Sequence, residues 1–433
     1  MKQIIKLIII IGILSNYSCD KCGEIVPEKC GDYQSNSKMC GWSVVTCNAA
    51  LKNDPIGVIY DTQNNVFAPL GDDWGKTIQS VHPIGWTLGN LGQIFGITID
   101  KHENIYLASS DIYFYDGGTG ITTSSNLNRP FPCGQIFKCS PPNWNPIPFT
   151  ALPNTCGTGN GIGNIAYDKW NDQFFASNLE DGKIYRIDRN GNQLESYDPI
   201  VIDNGKPGIA DTSELVWGLN LNKEGEEIKL YYTITNSVIR NLYSISLNID
   251  KFPSAAGSEK LEVSNLPGTQ NKFTDISFSS NNKSIILAER GDPHRSKVIK
   301  LQLVNTNWLV SSSLFYIGGF TGENSAGGVD FYSINDSNNK TNKCDENFWV
   351  SANYMMAKNV GFSRNTTIYG VTGVSANGNE LVDINSTTSS AYTDIFIDLD
   401  GVYGPSVKGG IGDVEVFDCA ECSAPCKLND FIK

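Results

Sequence analysis

The chain has 433 residues, 40% of them hydrophobic and 10% aromatic, with 42 glycines and a formal net charge of −13. The acidic balance argues against nucleic acid or an anionic membrane surface as partner, since both need a basic footprint. The length is ample for a large core, and the glycine and aromatic content suits many short strands joined by tight turns.

Lys2 and Lys6 precede an apolar run from Leu7 to Leu14, which reads as an export signal over residues 1–18. The run is too short to span a bilayer, and no later stretch is apolar enough to do so. Cleavage near Ser15 or Ser18 would release a soluble, secreted protein; cleavage before Cys19 would leave a lipid anchor there, placing it on the outer cell surface. Residues 19–50 form a cysteine-rich leader and 419–433 a cysteine-containing tail. The 12 cysteines read as disulfides of an oxidising compartment, with structural zinc through Cys19-x-x-Cys22 and Cys419-x-x-Cys422 as the alternative. A cross-link between the two terminal clusters suits a fold that brings the chain ends together.

Strands are expected from Ile56 onward, over 56–60 and 65–68. A short phrase then recurs six times, at 95–100, 163–168, 217–222, 274–279, 327–332 and 412–417. Its apolar residues alternate, the mark of a strand, and its recurrence marks a repeat architecture. The first copy leads into 105–108 and 112–115, the second into 173–176 and 183–187. Asp-Gly, Asn-Gly and Asn-Asn supply the positive φ of the intervening turns. Such units arranged about an axis make an all-β, six-bladed β-propeller over residues 51–418, or a seven-bladed one if residues 368–397 form a blade of their own. Pairing of N- and C-terminal strands closes the ring, Ile56–Ala68 completing the sixth blade and removing the free sheet edge.

The runs FGITIDKHENIYLASS and IAYDKWNDQFFASNLEDGKIYRID resemble blades of NHL-repeat propellers and of gluconolactonase-like, calcium-dependent propellers, over about residues 90–305. The residues preceding the apolar alternation in the six phrases are Gly96, Asn164, Gly218, Asp275, Gly328 and Asp413. In a propeller these start the inner strands at the mouth of the central channel. Asn164, Asp275 and Asp413 therefore converge from alternate blades, and their hard oxygens suit calcium or magnesium more than zinc or copper. The glycines between them leave room for the ion and its waters. The resemblance implies a catalytic metal in this place, with Asn164 and Asp275 at family positions, whereas Gly96 stands where the family has a glutamate. Polar residues at strand starts also cap turns and bind backbone amides.

Glu289 and Glu214 are the candidate catalytic acids, Glu289 being paired with His294 in the charged segment 288–295. No zinc-protease helix or nucleophile elbow occurs. The glycine-rich run 157–163 misses phosphate-loop spacing and enters a strand, and 188–192 reads as a hairpin turn instead of a calcium loop. Sequons at Asn365 and Asn385 are of the kind that chance supplies in so Asn- and Ser-rich a chain. The expected function is a secreted, non-catalytic binding or scaffold module for a protein, peptide or glycan, with a divalent cation as an option. The alternative is a calcium-dependent hydrolase of the lactonase type.

Overall fold

The computed structural model describes residues 39–49, 51–62, 80–111, 134–153, 161–199, 210–211, 213–236, 238–253, 257–269, 271–291, 295–313, 315, 317, 323–335, 342–355, 368–378, 395–398 and 410–418. They form six four-stranded antiparallel sheets, so the molecule is a six-bladed propeller. From the inner strand outward, the first blade is β4 (Ile94–Ile99), β5 (Ile105–Ser109), β6 (Gln135–Ser140) and β7 (Asn145–Ala151). The second is β8 (Ile162–Asp168), β9 (Gln173–Asn178), β10 (Ile184–Asp188) and β11 (Gln193–Tyr197). The third runs β12 (Val216–Glu224), β13 (Glu227–Thr235), β14 (Arg240–Ser246) and β15 (Lys260–Val263). The fourth runs β16 (Lys272–Phe278), β17 (Ser284–Arg290), β18 (Val298–Val304) and β19 (Asn307–Val310).

In the fifth blade β20 (Ser325–Asn335) and β21 (Asn342–Met355) are followed by β22 (Ile368–Ser375) and β23 (Ile395–Asp398). The strands described within 368–397 thus form the outer half of this blade and not a seventh. The sixth blade takes its inner strand β24 (Gly410–Val416) from one end of the chain and β1 (Trp42–Asn48), β2 (Gly57–Asp61) and β3 (Ser80–Val81) from the other. Closure by the two ends is as expected, but it begins earlier, at Trp42, inside the stretch read as a leader. Val44, Val45, Ser43 and Thr46 of β1 are all buried, because blades pack on both sides of a second strand. Such a strand shows no polar–apolar alternation. The third strand of the first blade is β6, not residues 112–115, which lie outside the described residues with 65–68, the export signal, Cys19 and both sequons.

The core is six wedges, one between each pair of neighbouring sheets. Ile97, Phe137, Val44 and Trp86 fill the wedge between the sixth and first blades; Phe175, Leu219 and Tyr232 lie between the second and third. Outer strands are exposed, and β7 carries Pro146 and Pro148, which deny its edge to a foreign strand.

Antiparallel order decides where loops emerge. Connections from second to third strands, and from fourth strands to the next blade, leave on the face where inner strands begin. The connections that start from β2, β14 and β22 leave on the other face, whereas those that start from β5, β11, β19, β21 and β23 leave on that one. The single helix among the described residues, α1 (Leu88–Leu91), sits in another of them.

Candidate functional site

Each inner strand slips register against its neighbour at the start of the repeated phrase, as between Ile162 and Ile165 or Val216 and Leu219. Such a bulge leaves a backbone N–H without a ladder partner. Four blades meet it with a hydroxyl from the second strand. Asn164 N–H donates to Ser177 Oγ (3.0 Å), Gly218 to Thr233 Oγ1 (3.0 Å), Gly328 to Ser351 Oγ (2.8 Å) and Asp413 to Thr46 Oγ1 (2.9 Å). Thr46 and Thr233 then donate to the Phe95 and Phe273 carbonyls of the following blade, at 2.9 and 2.6 Å. Sequence reading missed these four residues; their signal is a Ser or Thr in the later half of each second strand.

Asn164, Asp275 and Asp413 do meet. Asn164 Nδ2 donates to Asp275 Oδ1 at 3.2 Å, reaching past the third blade, and to the Thr274 carbonyl at 3.0 Å. The Asp413 carboxyl hydrogen-bonds the Asp275 carboxylate, reaching past the fifth blade. The glycines make this possible, but the neighbours fill their space. A Cβ on Gly96 would lie 2.6 Å from Asn164 Oδ1, one on Gly218 2.9 Å from Asp275 N, and one on Gly328 2.5 Å from Asp413 Cα.

Each acid is also bound to main chain. Asp275 accepts from Ile276 N–H (2.8 Å) and, in the next blade, from Val329 N–H (2.8 Å). Asp413 accepts from Val414 N–H (2.9 Å) and from Ile97 N–H across the closure (3.1 Å). Burial, partly offset by these bonds, pushes Asp275 up to about 6. Burial and the adjacent Asp275 charge hold Asp413 well above the usual carboxylate range, so the pair shares a proton.

A second ring lies two residues along. Asn220 Nδ2 donates to the Ile276 carbonyl (2.6 Å), Ser277 Oγ to Asp330 Oδ1 (2.7 Å), and Val416 N–H to Asp330 Oδ2 (2.9 Å). Asp330 and Glu415 are both held well above their ordinary range by burial, then by neighbouring acids. The channel is thus stitched blade to blade at two levels.

Above the first ring, Arg290 at the end of β17 bridges blades. Its guanidinium donates to the Ala326 and Ile411 carbonyls and lies 5.2 Å from the centroid of the Phe95 ring. Phe95 in turn packs with Leu179, Leu215 and Trp217. Arg290→Ala should destabilise the fold by about 3 kcal/mol or more, as two bonds from a charged donor are lost. Urea unfolding would measure it, and a loss under about 1 kcal/mol would mean the bridge is idle.

The expected catalytic acids stand elsewhere. Glu289 is wholly buried and accepts from Thr269 N–H (2.8 Å), Asn271 N–H (3.1 Å), Lys297 N–H (2.9 Å) and Thr269 Oγ1 (3.2 Å). Burial raises its pKa against those four bonds, which spend its oxygens on anchoring the 268–271 turn. Glu214 Oε2 accepts from Asp211 N–H (3.0 Å) in the connection before β12. His294 lies outside the described residues. Asp188 caps its own hairpin, accepting from Asn190 N–H and Asn192 N–H at 2.8 Å each, as expected of a turn.

Among the described residues no group of three or more His, Cys, Asp or Glu side chains could hold a metal ion. The three first-ring side chains converge, yet their oxygens are taken by amides and by the shared proton. As arranged, they fit a hydrogen-bonded staple better than a calcium cage of six to eight open oxygens.

No family model and no curated protein matches the chain. Solved propellers resemble it in fold. A chain of a nidogen–laminin complex is 11% identical, covering 86% of this chain and 97% of that one with a TM-score of 0.46. A gluconolactonase from Xanthomonas campestris is 9% identical over 67% and 79% (TM-score 0.38), and a streptogramin B lyase 16% over 71% and 76% (0.36).

Proposed function

We propose that the protein is a secreted, non-catalytic binding module. Its partner, a protein, peptide or glycan, docks on the face where the inner strands begin. The observation that carries this reading is the division of labour between channel and rim. The channel's polar side chains are spent on joining blades, which leaves recognition to the connections around the rim. Loops held on a rigid scaffold are the usual place of recognition. Three exposed apolar side chains stand on the same face: Leu51 (68% exposed), Ile84 (86%) and Val238 (82%). Secretion is supported by the Lys2, Lys6 and Leu7–Leu14 leader and by the oxidised state of Cys40.

Arrays of glycans and of extracellular proteins test this. A ligand found there should bind at least tenfold more weakly to the Ile84→Glu/Val238→Glu variant, with melting unchanged and a chelator without effect. Chelator-sensitive hydrolysis of lactones would instead establish the second reading. That reading puts calcium at Asn164, Asp275 and Asp413, with Glu289 or Glu214 assisting, and the convergence of the three side chains supports it. There the ion takes the place of the shared proton, so added calcium should raise the melting temperature at pH 8 and much less at pH 5.

A further inference from the structure

We infer that the protein forms a two-fold dimer in which β19, the outer strand of the fourth blade, pairs antiparallel with β19 of a second copy. The ladder of this strand leaves one side open. Across β18, Val304 faces Asn307, Leu303 faces Trp308, Gln302 faces Leu309 and Leu301 faces Val310. Beyond them Ser311 N–H donates to the Lys300 carbonyl at 2.8 Å. Bonded positions alternate in an antiparallel pair, so Asn307, Leu309 and Ser311 bond inward to β18. The main-chain N–H and C=O groups of Trp308 and Val310 therefore point outward. Among the described residues nothing bonds to those four groups. Lys260 Nζ takes the next outward carbonyl, that of Thr306, at 3.4 Å, which bounds the open stretch on that side.

The other outer strands whose side chains are described are guarded. β7 has its two prolines and β3 is two residues long. β11 and β15 carry the ion pairs Arg186–Glu195 (3.2 Å) and Lys260–Glu262 (2.8 Å). β19 has no such device. Residues 304–313 include no charged side chain, and Leu309 and Val310 are 51% and 42% exposed.

A second copy is the occupant these features select. At a net charge of −13 two copies repel each other, so they meet best where carboxylates are absent. The open stretch is also its own complement. With the two-fold axis at Leu309, Trp308 of one copy lies opposite Val310 of the other, and each such pair exchanges two hydrogen bonds. That register leaves none of the open groups over. The two Leu309 side chains meet at the axis as a non-hydrogen-bonded pair, where Cα atoms stand about 4.5 Å apart. Two four-stranded blades thereby become one continuous sheet.

Sedimentation equilibrium of the full-length protein over a concentration series tests the dimer. The native protein should pass from monomer to dimer. Leu309→Lys, which sets two like charges across the axis, should raise the dissociation constant about tenfold or more while leaving the monomer's melting unchanged. Val310→Pro removes an outward N–H and no bond to β18, so it should weaken the dimer likewise. Leu309→Cys reads the register. Diamide should join two copies there, since the separation suits a disulfide, whereas Gln302→Cys on β18 should add no cross-link above the native level. A native protein that stays monomeric throughout overturns the inference and leaves the edge to a strand of some other chain. A dimer that neither Leu309→Lys nor Val310→Pro weakens also overturns it, because another face must then hold the copies together.

Discussion

The melting temperature should fall as pH rises from about 5 to 8, the reverse of the behaviour of most acidic proteins near neutrality. Asp275, Asp330, Asp413 and Glu415 all have pKa values raised on folding, chiefly by burial. A carboxyl raised in the folded state binds its proton more tightly there than in the unfolded chain. Its contribution is complete below the unfolded value and disappears as pH passes the folded one. For Asp275, a rise from 3.8 to about 6 corresponds to about 3 kcal/mol. Asp168, Asp181 and Glu289 shift the same way. The lowered carboxyls Asp172, Asp188 and Glu224 are already ionised above pH 5, so they do not mask the effect.

Asp330→Asn isolates the cause. The amide can still accept from Val416 N–H and can donate to Ser277 Oγ, so it keeps both contacts while removing one acid from the group. It should be more stable than the native protein at pH 8 and close to it at pH 5. Calorimetry across that range measures both. A flat native profile, or a variant destabilised equally at both pH values, would show that burial does not hold these channel acids protonated.

Gly328→Ala should be the most damaging of the inner-ring glycine substitutions, with Gly96→Ala the mildest. The new methyl at 328 meets main chain, 2.5 Å from Asp413 Cα, and a backbone cannot swing away. At Gly96 the nearest atom is the movable Oδ1 of Asn164, and main chain stands off at 3.1 Å. Gly218 falls between, at 2.9 Å from Asp275 N. Overpacking of this kind costs about 1–3 kcal/mol, or more where nothing can yield. Equal losses at all three sites would show that the ring adapts as a whole and that local contact does not set the cost.

The repeated phrase was legible because inner strands have an apolar side and a channel side, so period two survives in the sequence. The same alignment brought Asn164, Asp275 and Asp413 together correctly. It could not show that the glycines are occupied space. Gly96, Gly218 and Gly328 look like vacancies in a string of letters, and only the approach of the neighbouring blade reveals what stands there. Strand β1 escaped notice for the opposite reason: Ser43, Val44, Val45 and Thr46 are all buried, so polarity carries no phase. Glu289 illustrates a third limit. Its charge and its place beside His294 resemble catalytic equipment, but the donors that claim it are backbone amides, which have no signature in sequence.

The mixed origin of the sixth blade also sets an order of events. Of the described strands β1, β2 and β3 are synthesised first, and β24, to which β1 pairs, last. A growing chain must therefore keep three finished strands waiting, with the inner edge of β1 unpaired, until almost every other strand exists. Contacts of such long sequence separation form slowly, and the waiting edge is a hazard for aggregation. Cooperative assembly belongs to the completed polypeptide, and shortening the chain before Gly410 should leave a partly stacked array in place of a smaller propeller.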